Sequence, residues 1–218
     1  LMTVYHKPMQ DLVVETDDTL RYNNNGSGEA RGIDLFIKRA ASLRRVDWLS
    51  YTYAQSNRVN HNSGLSRPFD GDQAHTLTWV HQQPFEDNWS AWQWGYKLKL
   101  HSGQPYTRVI AREAAALDTT TVCGGDGSAP GCYWSPIYEA QNSSRLPDYF
   151  NIDLSMNKTV KNKRRHYDLK LELMNASELL YQNISDYDYG DEYQDIDNPK
   201  KVSASFGLLP AASFTLYF

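Results

Sequence analysis

The sequence predicts an all-β fold, specifically an antiparallel transmembrane β-barrel. Three observations support this prediction: apolar and polar residues alternate in short segments, short and long connections take turns between these segments, and aromatic residues are abundant in a polar chain. Phe, Trp and Tyr make up 13% of the 218 residues, whereas the apolar fraction is 40% and the mean hydropathy is -0.64. Rings among polar neighbours suit a surface that meets a membrane interface.

A helical membrane protein is excluded, because no apolar run approaches the roughly 18 residues that a spanning helix needs. The opening residues LMTVYHKPMQDL also lack the layout of a secretory signal peptide. We therefore expect either that a leader has been removed or that the chain is a piece of a longer protein.

The predicted strands have an alternation with a period of two. In WSAWQWGYKLKLHSG, Leu98 and Leu100 fall on one side of the strand, and Lys97 and Lys99 fall on the other. Two lysines do not suit a dry sandwich core, because burying unpaired charge is costly. Eight segments, each about ten residues long as bilayer-crossing strands should be, are predicted as strands. In chain order they are MTVYHKPM, GIDLFIKR, WLSYTYAQS, HTLTWVHQ, WSAWQWGYKLKLHSG, YFNIDLSMN, HYDLKLELM and SFTLYF.

The connections between these segments alternate in length and in charge. AASLRR, FEDN and VKNKRR are short, whereas long loops are predicted at roughly 15–31, 57–73, 103–148 and 177–201. Short turns on one side and long loops on the other are typical of an outer-membrane barrel. The short-turn side carries a net charge of +7 and the long loops carry -9. Either a membrane imposes two chemically different ends, or turns are simply charged.

The third long loop contains both cysteines of the chain. Cys123 and Cys132 enclose a Gly-rich stretch, with no further ligand for a zinc ion beside them. We predict a local disulfide formed in an oxidising compartment, with two free thiols as the alternative. Tyr133 and Trp134 follow directly, and they either contact a ligand or pack the loop on itself.

The fourth long loop alternates acidic residues with tyrosines. It supplies candidate ligand contacts at Tyr187, Tyr189 and Tyr193, and candidate calcium ligands at Asp186, Asp188 and Asp191. A calcium ion or a hydroxyl-rich ligand would suit this composition, although the spacing of an EF-hand is absent. The alternative is a solvated acidic loop. No other metal site and no cofactor is predicted.

Catalysis has no support in the sequence. The six histidines are scattered, and neither a nucleophile elbow nor a phosphate-binding loop occurs. We therefore predict that the chain is not an enzyme and that it has no nucleic-acid partner.

Several segments occur in an order and at a spacing that resemble a known family. They are NNNGSGEARGIDLFIKR, LSYTYAQSNR, FDGDQAHTLTWV, LHSGQPYT, SRLPDYFNIDLSMNKT, LKLELMNASE and FTLYF. Over almost its whole length the chain resembles the C-terminal part of TonB-dependent outer-membrane transporters. The resemblance implies that residues 1–218 form about eight C-terminal strands of a barrel of about 22 strands, with short periplasmic turns and long extracellular loops.

The same resemblance implies a function and a set of partners. The whole protein would import a scarce nutrient across the Gram-negative outer membrane, most often a ferric siderophore or haem, using energy relayed by TonB. Its partners would be outer-membrane lipid, a plug domain, the remaining barrel strands, the TonB complex reached through the missing N-terminal part, and the outer-membrane assembly machinery. Neither the plug nor the first strands are in this chain.

The C-terminal strand is expected to close the barrel, with Phe214, Leu216 and Phe218 facing lipid and the C-terminus in the periplasm. In the family, a terminal strand that ends in an aromatic residue is also recognised by the assembly machinery. The inward-facing charges would contact a plug or fill the interior of a small barrel; they are Asp34, Lys97, Lys99, Asp153, Lys170 and Glu172. Two alternatives stay open: a self-contained eight-stranded barrel acting as anchor or adhesin, and a soluble carbohydrate-binding β-sandwich, in which the last strand would be buried.

Overall fold

The structure is a computed structural model that describes residues 1–16, 21–39, 45–86, 91–117, 121–125, 130–161, 166–204 and 207–217. In chain order the described strands are β1 (Met2–Glu15), β2 (Tyr22–Lys38), β3 (Val46–Asn60), β4 (Leu65–Pro68), β5 (His75–Pro84), β6 (Trp92–His101), β7 (Pro105–Tyr106), β8 (Val109–Ala116), β9 (Cys132–Tyr138), β10 (Ser144–Arg145), β11 (Tyr149–Lys161), β12 (His166–Met174), β13 (Ile184–Asp188), β14 (Lys200–Ser203) and β15 (Leu209–Tyr217). Two short 3₁₀ helices cover Ala176–Leu179 and Asp191–Tyr193. No helix in these ranges has the length and apolarity that crossing a bilayer requires.

The main sheet is an antiparallel meander in which each long strand pairs with the next one along the chain. Its order is β1-β2-β3-β5-β6-β11-β12-β15, with β4 folded back onto β3. Each of these eight long strands overlaps one of the eight predicted segments, in the predicted order. GIDLFIKR extends one residue beyond β2, WSAWQWGYKLKLHSG extends beyond both ends of β6, and the last residue of SFTLYF lies outside the described residues. The prediction of an all-β, antiparallel fold is therefore confirmed.

The predicted strand length was wrong for the first three strands, which contain 14, 17 and 15 residues rather than about ten. The loop predicted at 15–31 is largely strand, because β1 continues to Glu15 and β2 begins at Tyr22. Backbone pairing continues through the polar run NNNGSGE, where Gly26 pairs with Asn60. Ladder hydrogen bonds join backbone groups and do not need apolar side chains, so hydropathy does not mark this extension.

The other three long loops contain secondary structure that the sequence did not predict. β4 pairs with the end of β3, β8 forms a hairpin with β9, and β13 forms a hairpin with β14. β7 and β10 add a short two-stranded pair at the base of the third loop. All of these elements lie at one end of the main sheet, which we call the long-loop end; the opposite end is the short-turn end.

The register of the main sheet collects its apolar side chains on one face. On β11, Ile152 lies opposite Leu98, and Met156 lies between Trp94 and Leu171. Because side chains alternate along a strand, the residues between these positions form a polar face, where Asp153 lies opposite Lys97. The apolar face crosses all eight strands and includes Val4, Ile33, Leu35, Leu49, Leu77, Trp79, Leu98, Leu100, Ile152, Leu154, Met156, Leu169, Leu171, Leu173, Phe214 and Leu216.

The apolar face is not covered by another layer of the described chain. Leu154 is 44% exposed, Leu171 is 40% exposed and Phe214 is 63% exposed. Val109 is the only buried large apolar side chain among the described residues. A water-soluble domain of this size would bury most of its apolar surface in a core, so the main sheet has the opposite organisation.

The two edges of the main sheet are unpaired within the described ranges. β1 pairs with β2 alone, and β15 pairs with β12 alone. The sheet is therefore open in this structure.

Candidate functional site

The long-loop end is joined to the sheet through Asp72, whose side chain is 6% exposed. Its Oδ1 accepts a hydrogen bond from the backbone N–H of Ser56 on β3 at 2.7 Å. Its other oxygen forms an ion pair with Arg145, whose Nη1 also donates to the carbonyl oxygens of Asp72 and Gly103, both at 3.1 Å. One buried carboxylate thus links β3 to the third long loop.

Asn142 makes a second link between the same segments. Its Nδ2 donates to the carbonyl oxygen of Pro68 at 2.9 Å and to Oδ1 of Asp70 at 2.5 Å. Its backbone has φ 61, a left-handed conformation that asparagine tolerates better than most residues. The bond from Asn142, together with one from Arg67, holds the pKa of the Asp70 carboxyl below its ordinary value. Asp70 therefore remains an ionised acceptor in this link near neutral pH.

The fourth long loop is attached to β11 by side chains that imitate a strand. Asn183 is 1% exposed; its Nδ2 donates to the carbonyl oxygen of Phe150 at 2.8 Å, and its Oδ1 accepts from the N–H of Phe150 at 2.8 Å. Ser177 accepts a bond from the N–H of Ile152 at 3.2 Å. β12 ends at Met174, so it does not pair with the first residues of β11. The side chains of Asn183 and Ser177 replace it there and pair the backbone groups of Phe150 and Ile152.

An aromatic cluster connects the third and fourth loops. The guanidinium of Arg112 on β8 lies 4.2 Å from the ring centre of Trp134, and its Nη1 donates to the carbonyl oxygen of Glu192 at 2.8 Å. The rings of Tyr106 and Tyr187 lie 5.5 Å apart. Burial, with smaller contributions from Tyr189 and Tyr187, raises the pKa of Tyr106 to about 12. The cluster thus packs two loops against each other around one cation.

A cleft of about 470 Å³ opens at the long-loop end beside β1, β2, β3 and β4. Its lining includes Leu12, Val14, Tyr22, Arg58, Arg67 and Phe69. The guanidinium of Arg58 lies 4.3 Å from the ring centre of Phe69, and Arg67 is paired with Asp70 at 2.6 Å. A mixed apolar and polar cleft of this volume suits a small molecule with an apolar body and a few polar groups.

Comparison with known proteins identifies no relative. No family model, no curated protein and no solved structure matches the chain.

The structure brings together some of the ligand contacts predicted from the sequence. Trp134 and Tyr187 are in the aromatic cluster, and Tyr193 hydrogen-bonds with Tyr138. The hydroxyl of Tyr189 is buried and has no hydrogen-bond partner among the described residues. Tyr133 precedes Trp134 on β9, so its side chain points to the opposite side of the hairpin. It is 47% exposed. Trp134 contacts Arg112 within its own loop, and the ligand contacts predicted from the sequence stay predictions.

The candidate calcium ligands do not form a metal site. Asp186 and Asp188 accept bonds from the N–H groups of Tyr187 and Gly190, at 2.8 and 2.9 Å, and Asp191 is exposed. The described part of the chain contains no group of three or more His, Cys, Asp or Glu side chains that would hold a metal ion. The short aspartates bond to their own backbone here, as they often do in turns.

Cys123 and Cys132 are joined by a disulfide, with their Cα atoms 5.8 Å apart. The disulfide links the first residue of β9, Cys132, to a position nine residues earlier in the chain. Trp134 lies two residues beyond Cys132 on the same strand. Cross-linking a loop reduces its freedom when unfolded, so the disulfide stabilises the folded arrangement at the start of β9.

Four charged residues of the polar face form two ion pairs, and a fifth, Asp34, is bonded to a threonine. Lys97 lies 3.8 Å from Asp153, Lys170 lies 2.6 Å from Glu172, and Asp34 accepts a bond from Thr52 at 2.7 Å. In the C-terminal strand, Phe214 and Leu216 lie on the apolar face, opposite Leu169 and Tyr167. Phe218 lies outside the described residues.

Sequence reasoning missed the cleft and three members of the aromatic cluster: Arg112, Tyr106 and Tyr138. The cleft forms because β4 folds back onto β3, and four-residue strands leave little periodic signal. VIAREAAA likewise lacks a regular apolar and polar alternation, so no periodic signal in the sequence marks the position of Arg112.

We predict that Asp72→Ala loosens the long-loop end without unfolding the sheet. It removes the acceptor for the Ser56 N–H and the carboxylate partner of Arg145, which keeps only its carbonyl acceptors. The loss of a hydrogen-bond partner in a buried site costs about 1–3 kcal/mol. Limited proteolysis should cut the segment 103–148 about tenfold faster, since 1.4 kcal/mol corresponds to a factor of ten. Asp197→Ala, at an exposed position of the fourth loop, is the matched control and should leave the cutting rate unchanged. Equal rates for Asp72→Ala and wild type would contradict the link.

Proposed function

We propose that this chain is part of the wall of an outer-membrane β-barrel that belongs to a TonB-dependent transporter, with its C-terminus in the periplasm. The observation that carries the proposal is the apolar face, which runs across eight strands and is exposed. Water does not stabilise so much apolar surface. The hydrocarbon of a bilayer would cover it, while the six inner strands each pair with two neighbouring strands and the edges β1 and β15 would pair with the remaining strands of the barrel.

The placement of charge and of aromatic rings supports the same proposal. At the short-turn end of the apolar face, Trp79 packs edge-on against Tyr96 at 5.1 Å and donates from Nε1 to Asp47 at 3.1 Å. Rings with one apolar and one hydrogen-bonding side are enriched at membrane interfaces. Summed over each end, the short connections are basic and the long loops are acidic, with net charges of +7 and -9. A barrel wall needs such a distinction between its two ends, because each end meets a different solvent.

The transported substrate is proposed to be a ferric siderophore or haem. The resemblance to the transporter family supports this class, and the cleft lined by Arg58 and Phe69 offers cationic and aromatic contacts at the long-loop end. The chain itself would need no cofactor and would perform no catalysis. Transport would depend on the remaining strands, on a plug domain and on the TonB complex.

The two alternatives receive less support. A self-contained eight-stranded barrel would pair β1 with β15, and the described residues of these strands have no such pairing. A soluble β-sandwich would cover the apolar face with a second sheet, whereas the smaller two-stranded sheets all lie in the loops at the long-loop end.

The apolar face is tested with two neighbouring residues of β12. Leu171→Arg should reduce the folded, membrane-inserted form strongly, because a cation at mid-bilayer costs about 2–4 kcal/mol. Lys170→Ala, one residue away on the polar face, should change it by less than about twofold, since an exposed ion pair contributes little. The measurement is the heat-modifiable fraction on an unheated gel after insertion into lipid vesicles. Equal tolerance of both substitutions would sink the assignment of this face to lipid.

Transport itself is tested in cells. Uptake of radioactive iron from a siderophore or from haem should require the intact protein, and it should be lost when TonB is deleted although the protein is still present in the outer membrane. Uptake that continues without TonB would exclude the proposed energy source, and absence of uptake for every iron source would exclude this substrate class.

A further inference from the structure

The apolar face contains a groove of about 450 Å³ near the short-turn end. It runs over β11, between the rings of Phe85 and Trp94 on one side and Leu171 and Leu173 of β12 on the other. Leu154 and Met156 form its floor, because the register places Met156 between Trp94 and Leu171. Its volume lies within the range of about 300–1,000 Å³ that is common for ligand sites.

The groove has an apolar lining with little hydrogen-bonding capacity. Glu172 also borders it, but the Glu172 carboxylate is paired with Lys170 Nζ at 2.6 Å. Ser155, a second polar residue at the border, has its hydroxyl directed to the carbonyl oxygen of Gly95 at 3.5 Å. A polar small molecule would lose its hydration here without new partners. An unbranched hydrocarbon chain matches the chemistry of the lining.

A cation lies on the same face just beyond the residues that line the groove. Lys158 follows Met156 on the same face of β11, and the register places it between Trp92 and Leu169. Its Nζ lies 5.2 Å from the ring centre of Trp92. No acidic side chain of the described ranges forms an ion pair with it. A lysine stem can lie along apolar surface while its ammonium group reaches the polar boundary of a membrane.

We propose that this groove is a binding site for one phospholipid with an anionic head group. One acyl chain lies over Leu154 and Met156, and the lipid phosphate pairs with Lys158 beside the ring of Trp92. The occupant is a lipid because the groove lies on the face that we assign to the membrane, and it is an anionic one because the adjacent charge is a lysine without a carboxylate partner. This inference rests on the proposed function of the chain as a membrane wall.

Two substitutions separate the charge of the site from its shape. Lys158→Gln keeps the length of the stem and removes the charge, so it should abolish the preference for an anionic lipid. Met156→Trp fills the floor of the groove and should weaken the binding of any diacyl lipid. Lys161→Gln is the matched control, because Lys161 is a lysine of the same strand three residues further along, which places it on the opposite face.

Because the described sheet is open at both edges, the test uses the whole barrel protein to which this chain is proposed to belong. It is inserted into a bilayer and extracted in mild detergent, and bound lipid is counted by native mass spectrometry. The probes are phosphatidylglycerol and phosphatidylcholine with identical acyl chains. We expect phosphatidylglycerol to be retained about fivefold better, as one lysine near a membrane surface allows. Lys158→Gln should equalise the two lipids, Met156→Trp should reduce both, and Lys161→Gln should behave as wild type.

Several results would overturn the inference. Equal retention of both lipids by the wild type removes the anionic preference, and an equal loss in Lys158→Gln and Lys161→Gln shows a general effect of surface charge. Retention of a second protein copy in place of lipid assigns the groove to self-association. Insertion is measured first by heat-modifiable migration: a protein that inserts but binds no lipid here refutes this site alone, whereas a protein that does not insert also refutes the proposed function.

Discussion

The antiparallel register is the constraint on which the rest of this structure depends. Because side chains alternate along each strand, the pairing of Ile152 with Leu98 and of Leu154 with Leu173 brings apolar residues to the same face on strand after strand. A shift by one residue would exchange this face with the one that carries Lys97 and Asp153. The register therefore determines which charged side chains pair with each other. It also determines which face of the sheet is apolar and must be shielded from water.

Among the described residues, the buried side chains are mostly polar, which follows from the same organisation. With its apolar face uncovered, the chain uses hydrogen bonds to fix the segments at the long-loop end. Asp72 anchors the third loop to β3, and Asn183 completes the ladder beside β11. Such bonds are strong where water is excluded and costly to break. They hold the aromatic cluster and the cleft in place above a sheet that has no conventional core.

Sequence reasoning predicted the sheet well because period-two alternation is a local property. In WQWGYKLKL and HYDLKLELM, the alternation of apolar and polar residues indicates on which face of the sheet each side chain lies. Consecutive strands joined by short turns pair with each other. The candidate site was predicted less well, because it depends on contacts between distant residues. Arg112 meets Glu192 across 80 positions, and Arg145 meets Asp72 across 73. The polar strand ends of β1 and β2 were also missed, since only backbone pairing marks them.

Trp48 and Trp79 provide the most direct test of the central claim that the apolar face meets lipid. Trp79 is paired with Leu49, so the two tryptophans lie about one residue apart on neighbouring strands but on opposite faces. Two variants, in which either Trp48 or Trp79 is the only one of the six tryptophans retained, would be inserted into vesicles whose acyl chains carry bromine, which quenches tryptophan fluorescence on contact. The proposal predicts strong quenching of Trp79 and little quenching of Trp48. Equal quenching of the two, or quenching of Trp48 alone, would contradict it.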